Sequence, residues 1–264
     1  MKLSYDKDTT TVRVFPEGEN ATHIEYRERD FESECFDNRT LEVLDWDVDD
    51  FPATFAKLIE HENLKHGDFL YLRLSAVDIA KIRSAEKAGF YYVESSVFPF
   101  LHMRGWEKEQ FKRFIWPTVQ VGENLIDEVE EIAHSTFKGL RFNIDPFIEE
   151  EKADKRYLQW LRNAYAGGED IRAIMHKDKV AGFSLLRDDG NGKVLWRLAG
   201  MHPDLKTAGI GMVLYASTVA YCKDIGVKHI DGGVSMSNTP VVNVLSSVGF
   251  SFKEPTVVLH YYVD

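Results

Sequence analysis

The chain has 264 residues, enough for one large domain or two of ordinary size. An apolar fraction of 44% with 12% aromatics belongs to a packed globular chain and excludes a disordered one. The formal net charge of −11 argues against generic binding to nucleic acid or an anionic membrane, although it leaves room for a local basic pocket.

The opening MKLSYDKDTT lacks the apolar core of a signal peptide, and the run 209–222 is too short and too rich in Ser and Thr to span a bilayer. A cytoplasmic protein without a membrane partner is expected. Cys35 and Cys222 lie far apart without metal-ligand spacing, and the nine histidines form no HExxH. Both cysteines read as reduced, small apolar residues, and no metal is expected.

In chain order, residues 10–16 and 41–48 predict strands, 51–67 a helix and 68–75 a buried strand. The polar, charged segment 104–117 marks a boundary, giving domains 1–112 and 113–264. Beyond it come a short strand at 118–122 and helices at 123–137 and 148–168. Three strands follow at 171–178, 179–188 and 193–202, the first two joined as a hairpin around Asp178. A helix at 207–225, a strand at 228–235, a helix at 238–248 and two last strands complete a mixed α/β (α+β) chain.

Part of this order occurs twice. Residues 74–97 align without a gap on 234–257, with five identities over 24 positions and an offset of 160. Ser75 meets Ser235, Gly89 meets Gly249, and Phe90 meets Phe250. Asp78 meets Asn238, both suited to capping a helix. Each copy reads as strand, capped helix, glycine and strand, the signature of a duplication. The copies differ at HPDLKTAGIGMVL (202–214), where a strand end, two glycines and a helix start would gather unpaired backbone N–H groups for an anion. The same offset lands on WDVDDF (46–51), with three acids and no glycine, so only the second half should bind a phosphate.

The element order, together with Lys206-Thr207-Ala208-Gly209-Ile210-Gly211 after the fourth strand, resembles the GNAT acyltransferases. That family carries Arg or Gln, two residues, Gly, one residue, and Gly or Ala at this point. Its downstream asparagine, with Gly-Phe eleven residues later, stands here as Asn238 and Gly249-Phe250. The resemblance covers residues 118–264 and, in degenerate form, the first half. It implies two GNAT-like domains, the N-terminal one degenerate. The stretches FESECF (31–36), FKGLRFNIDPFI (137–148) and YLQWLRNA (157–164) resemble the tandem nucleotide-amino-sugar acyltransferases within that family.

What the resemblance implies can be assigned residue by residue. Coenzyme A thioester is the co-substrate, held by the backbone of Ala199, Gly200 and Met201, by residues Lys206, Thr207, Ala208, Gly209, Ile210 and Gly211, and by Asn238 and Asn243. Gly200 would let that backbone approach closely. His202 and Asp231 are the alternatives for general base, and Ser237, with Ser235 and Ser246, for proton donor. The family's usual tyrosine acid is Leu245 here. Either another group protonates the sulfur or the thiolate leaves unassisted; the smaller residue also suggests room for a longer acyl chain. Arg141 and Phe142, with Phe36, would hold the acceptor, the guanidinium on a pyrophosphate and the ring on a base. Trp160, at helical spacing with Tyr157, Leu161 and Ala164, reads as core.

The expected activity is acyl transfer to the amine of a nucleotide-linked, dTDP-type amino sugar, with small-molecule partners and a homodimer as a compatible assembly. A peptide or aminoacyl acceptor, or a non-catalytic acyl-CoA sensor, are the alternatives.

Overall fold

The computed structural model describes residues 2–5, 11–15, 23–205 and 210–264, the first two segments by backbone alone. The strands and helices of the first half are β1 (Lys2–Tyr5), β2 (Thr11–Phe15), β3 (His23–Glu28), α1 (Asp30–Phe36), β4 (Thr40–Asp47), α2 (Phe51–His61), β5 (Phe69–Ser75), α3 (Ile79–Lys87), β6 (Tyr91–Val97) and β7 (Pro99–His102). After short 3-10 turns come β8 (Thr118–Gln120), α4 (Ile126–Thr136), α5 (Glu150–Ala166), β9 (Asp170–His176), β10 (Lys179–Gly190) and β11 (Lys193–Met201). The chain ends with α6 (Ile210–Asp224), β12 (His229–Gly232), β13 (Val234–Ser235), α7 (Thr239–Val248), β14 (Ser251–Phe252) and β15 (Thr256–Tyr262).

Two compact units result, and neither is a continuous stretch. The first joins Met1–Ser95, Ile144–Lys152 and Pro255–Asp264; the second joins Ser96–Asn143 and Ala153–Glu254. In the first, the sheet order is β1-β2-β3-β4-β5-β15-β6. One sheet face carries Leu41, Val43, Leu70 and Leu72, which bury against Phe51, Phe55 and Leu58 of α2 and Ala85 of α3. Asp50 caps α2 by accepting from the Ala53 N–H at 3.1 Å, and Pro52 fills its first turn. The acidic stretch at 46–51 therefore ends a strand and opens this helix, with Trp46 stacked on Phe51 at 4.1 Å.

The other face of that sheet is polar. Strand register lines up Arg27, Glu42, Tyr71 and His260 across β3, β4, β5 and β15. His260 and Asp145, both almost fully buried, are hydrogen bonded through Nδ1. Tyr91 donates to both Asp145 oxygens at 3.0 and 3.1 Å, and the Phe147 N–H donates to Oδ1 at 2.9 Å. These bonds fasten segment 144–152 within the first unit.

In the second unit the sheet order is β14-β7-β12-β11-β10-β9-β8. Helix α6 is buried all round from Val213 to Ala220, as expected of an apolar helix with little amphipathic character. It packs with Trp106, Trp196, Leu245, Val248 and Phe250 in one core.

The repeat survives in hydrogen-bond detail. Asp78 accepts from the Lys81 N–H at 3.0 Å, and Asn238 from the Val241 N–H at 3.4 Å. The Phe90 N–H donates to the Ala85 carbonyl at 3.1 Å, and the Phe250 N–H to the Leu245 carbonyl at 3.0 Å. Gly89 and Gly249 both take the left-handed conformation, at φ 96° and 106°. The last strand of each copy has changed sheets: β15 pairs Tyr262 with Phe69, and β7 pairs His102 with His229, the same register offset by 160 at both positions.

Candidate acyl-transfer site

The candidate site is built on β11. This strand pairs in parallel with β12 from Lys193↔His229 to Trp196↔Gly232. There the pairing ends, because beyond Gly233 the chain forms β13, whose Val234 and Ser235 pair with Val97 and Ser96. The two strands splay apart, and among the described residues no strand pairs with the end of β11 on that side.

A β-bulge sits at the same level. On β10, Leu185 faces Leu198 and Leu186 faces Trp196, so Arg197 is the extra residue. The Trp196 indole N–H bridges the bulge by donating to the Leu198 carbonyl at 3.2 Å. One added residue reverses the alternation of side chains. Trp196, Ala199 and Met201 all join the core that contains Val213 and Leu214 of α6, while Gly200 faces α4.

Backbone direction follows from register. The His202 N–H donates to the Ala181 carbonyl at 2.9 Å, and residues 182–184 of β10 face 201–199. Because successive N–H groups point to opposite sides, Gly200 turns its N–H toward β10 while Ala199 and Met201 direct theirs into the splay. Two donors, not three, are therefore available there. Gly200 is also explained by packing: a Cβ on it would lie 2.6 Å from Phe183 and 3.2 Å from Ile132 and Thr136. A side chain at this position would force the Phe183 ring to shift in the layer between the sheet and α4, whatever binds in the splay.

Helix α6 opens with Ile210 and Gly211. Lys206, Thr207, Ala208 and Gly209 lie outside the described residues. A Cβ on Gly211 would meet Val244 of α7 at 3.4 Å, an ordinary close contact between helices.

The fold has solved counterparts. No family model matches the chain. A GCN5-related N-acetyltransferase from Sphaerobacter thermophilus superposes with a TM-score of 0.63 at 15% identity, over 96% of this chain and 80% of that one. A tandem GNAT protein from the clavulanic acid biosynthesis pathway gives 0.59 at 14% identity, over 96% and 82%. The fold is the tandem GNAT fold. Among curated proteins, the spore coat polysaccharide biosynthesis protein SpsD of Bacillus subtilis (strain 168) is 19% identical over 198 residues, 74% of this chain and 67% of that one.

Within the GNAT fold the remaining residues can be located. Asn238 is the cap of α7, and Asn243 lies exposed on the same helix. Ser237 is exposed, its hydroxyl 2.9 Å from that of Ser235. Leu245 is 3% exposed in the core, so it leaves no free space for a longer acyl chain at its own position.

The two candidate bases differ. Burial works to raise the pKa of Asp231, but Lys253 at 3.0 Å and Lys193 at 3.3 Å outweigh it and hold the carboxyl below the ordinary range. A carboxylate so neutralised is a poor proton acceptor. His202 follows directly on Met201, half-exposed, and its Nδ1 accepts from the Asp204 N–H at a long 3.3 Å. The Asp204 carboxylate is 3.8 Å from the same nitrogen.

The acceptor candidates are more enclosed than their sequence suggests. Phe142 is 1% exposed, with the guanidinium groups of Arg141 at 4.2 Å and Arg156 at 4.6 Å over its ring. A ring covered in this way has no face for a nucleobase. Arg141 is itself buried, and Phe36 is 4% exposed in the first unit, edge-on to Phe69. Arg156, read only as part of a helix in the sequence, is the residue that periodicity missed: its position on the buried stripe of α5 was the available signal. Trp160 is half-buried and carries Arg197 at 4.9 Å and Arg156 at 5.4 Å. Arg197 also pairs with Glu169.

Both cysteines are buried and outside any disulfide, and burial pushes the Cys222 thiol up to about 12, so it supplies no thiolate nucleophile. Among the described residues, no group of three or more His, Cys, Asp and Glu is arranged to hold a metal. No helix among them is long and apolar enough to cross a membrane.

Proposed function

We propose that this chain is an N-acyltransferase that moves an acetyl or other short acyl group from coenzyme A to the amine of a nucleotide-linked, dTDP-type amino sugar. The observation that carries the reading is the splay between β11 and β12 with the Ala199 and Met201 N–H groups turned into it. Two fixed backbone donors suit a pantetheine chain and a thioester carbonyl that gains negative charge. When bound, the thioester supplies an activated acyl carbon and a good leaving group.

The chain's own residues would do the rest. Residues 206–211 and the start of α6 receive the pyrophosphate, with Asn238 and Asn243 alongside from α7. His202 takes the proton of the acceptor ammonium at Nδ1, and Asp204 steadies the charge. Leu245 gives no proton, so sulfur departs without an acid at that position or receives one from Ser237. Arg141 orients the acceptor through its charge. Residues 113–264 carry the coenzyme A site, and 1–112 serve as a degenerate partner without one. An amino-sugar acceptor is supported by the name of the curated relative, a polysaccharide biosynthesis protein, and by the arginine–aromatic stretch at 137–148.

The test is turnover of acetyl-CoA with dTDP-amino sugars, followed as free thiol. Sugar-dependent thiol release that is lost on removing the amine supports the reading. The buried Leu245 favours one rival, an acyl-CoA-binding sensor, and binding of acetyl-CoA without turnover across the acceptor series would establish it instead.

A further inference from the structure

The end of β12 away from the splay carries a second feature. A cleft of about 520 Å³ opens there, lined by His102, Arg104, Lys223, Lys228 and His229, and none of its lining residues is acidic. Its floor is apolar, made by Met103 and Val227, both buried. That volume lies within the range of small-molecule sites, roughly 300–1,000 Å³.

The basic groups are set by backbone and not gathered by chance rotamers. β7 and β12 bring His102 and His229 directly opposite one another, with rings 4.5 Å apart and edge to face. Lys223, in the last turn of α6, donates from Nζ to the Met103 carbonyl at 2.6 Å, which fixes its ammonium at the cleft wall. Arg104 occupies the 3-10 turn that begins at Met103. The Lys228 N–H donates to the Gly192 carbonyl at 2.7 Å, and the Met103 N–H to the Lys228 carbonyl at 2.9 Å, tying both walls together. Asp224, next to Lys223 in sequence, is engaged by Lys108 at 2.6 Å.

Three permanent cations and two imidazoles therefore meet at one cleft, on a chain whose net charge is −11. A long polyanion would also meet the acidic remainder of the surface, whereas a compact multivalent anion meets only the cleft. We propose that this cleft binds a small di- or triphosphate-bearing ligand. Arg104, Lys223 and Lys228 neutralise the phosphates, the imidazoles donate N–H to their oxygens, and Met103 with Val227 receives an apolar part of the ligand. The site is independent of the acyl-transfer reading, because His229 and Gly232 stand at opposite ends of β12.

The full chain is titrated at low salt with inorganic pyrophosphate, and the ring resonances of His102 and His229 are followed by NMR. Both rings are expected to shift along one saturable isotherm, and the double variant Arg104→Gln, Lys228→Gln should weaken the apparent affinity at least tenfold. Both substituted side chains are exposed, and neither belongs to the acyl-transfer machinery, so any basal turnover stays unchanged. Rings that move no more with pyrophosphate than with sodium chloride of equal ionic strength would overturn the proposal. An unchanged affinity in the double variant would do so as well, since binding would then lie elsewhere. Neither result depends on acetyl-CoA turnover.

Discussion

His202 and Asp231 are interchangeable as bases in the sequence and unequal in the fold, because one meets a carboxylate and the other two ammonium groups. His202→Gln is expected to lower kcat by about 10²–10⁴, the usual range for a lost general base, with thiol release as the readout. Asp231→Asn should keep most of the activity. A reversed order in the two kcat values would move the base to Asp231. A different carboxylate contributes to acid stability. Burial opposes ionisation of Glu62, yet hydrogen bonds from Tyr26 and Arg39 and the Arg39 charge hold its pKa below the ordinary carboxylate value. A group depressed in the folded state stabilises above its unfolded pKa, about 4.3, and loses that contribution as pH falls through the folded value. Glu62→Gln should therefore lower the melting temperature at pH 7 and flatten its decline below about pH 4. An acid limb as steep as in the parent would contradict this.

At the scale of elements, the duplicated unit makes a paired prediction. Asp78 and Asn238 perform the same cap at equivalent positions of α3 and α7. Asp78→Ala and Asn238→Ala should each cost about 1 kcal/mol, read from denaturant midpoints. Asn238→Ala should in addition raise KM for acetyl-CoA if the asparagine lies beside the cofactor, a change that loss of a cap alone would not produce. Strand β11 makes the opposite kind of case. Gly200→Ala brings a Cβ to 2.6 Å from Phe183, in a layer closed by Ile132 and Thr136. Overpacking of that sort costs about 1–3 kcal/mol, so this variant should be destabilised before its cofactor affinity is changed.

For the whole molecule, the exchange of β7 and β15 links the chain's end to the first unit's interior. β15 lies between β5 and β6, with Val258, Leu259 and His260 all buried. Removing residues 255–264 takes out a central strand, and hydrogen exchange should then rise in β5 and β6 of the first unit. Protection there equal to that of the full chain would contradict the pairing. Coenzyme A should bind once per chain, because 46–51 forms a strand end and the cap of α2, with three carboxylates and no glycine. Two equivalents in a calorimetric titration would refute that count.

Features dictated by short-range chemistry are legible in the residues alone. Apolar spacing located β5, α2, α5 and α7, and the pair Asp78 and Gly89, matched by Asn238 and Gly249, defined helices that begin and end where they should. The offset of 160 held down to single hydrogen bonds, because caps and left-handed glycines depend on neighbours within a few residues. Helix α1 at 30–36 is not legible in the sequence, since seven residues make only about two turns, too few for a helical period to emerge. Features that are not legible there involve partners distant in the chain. The strand exchange, the bulge at Arg197 and the direction of the Ala199 and Met201 N–H groups depend on which strand lies alongside, and a one-residue shift reverses every side chain. The same holds for Phe142, whose cover by Arg141 and Arg156 is a fact of packing, and for the meeting of His102 with His229 across 127 residues, the difference of their positions in the chain. Residue type states what a side chain is able to do; burial and register determine whether it is free to do it.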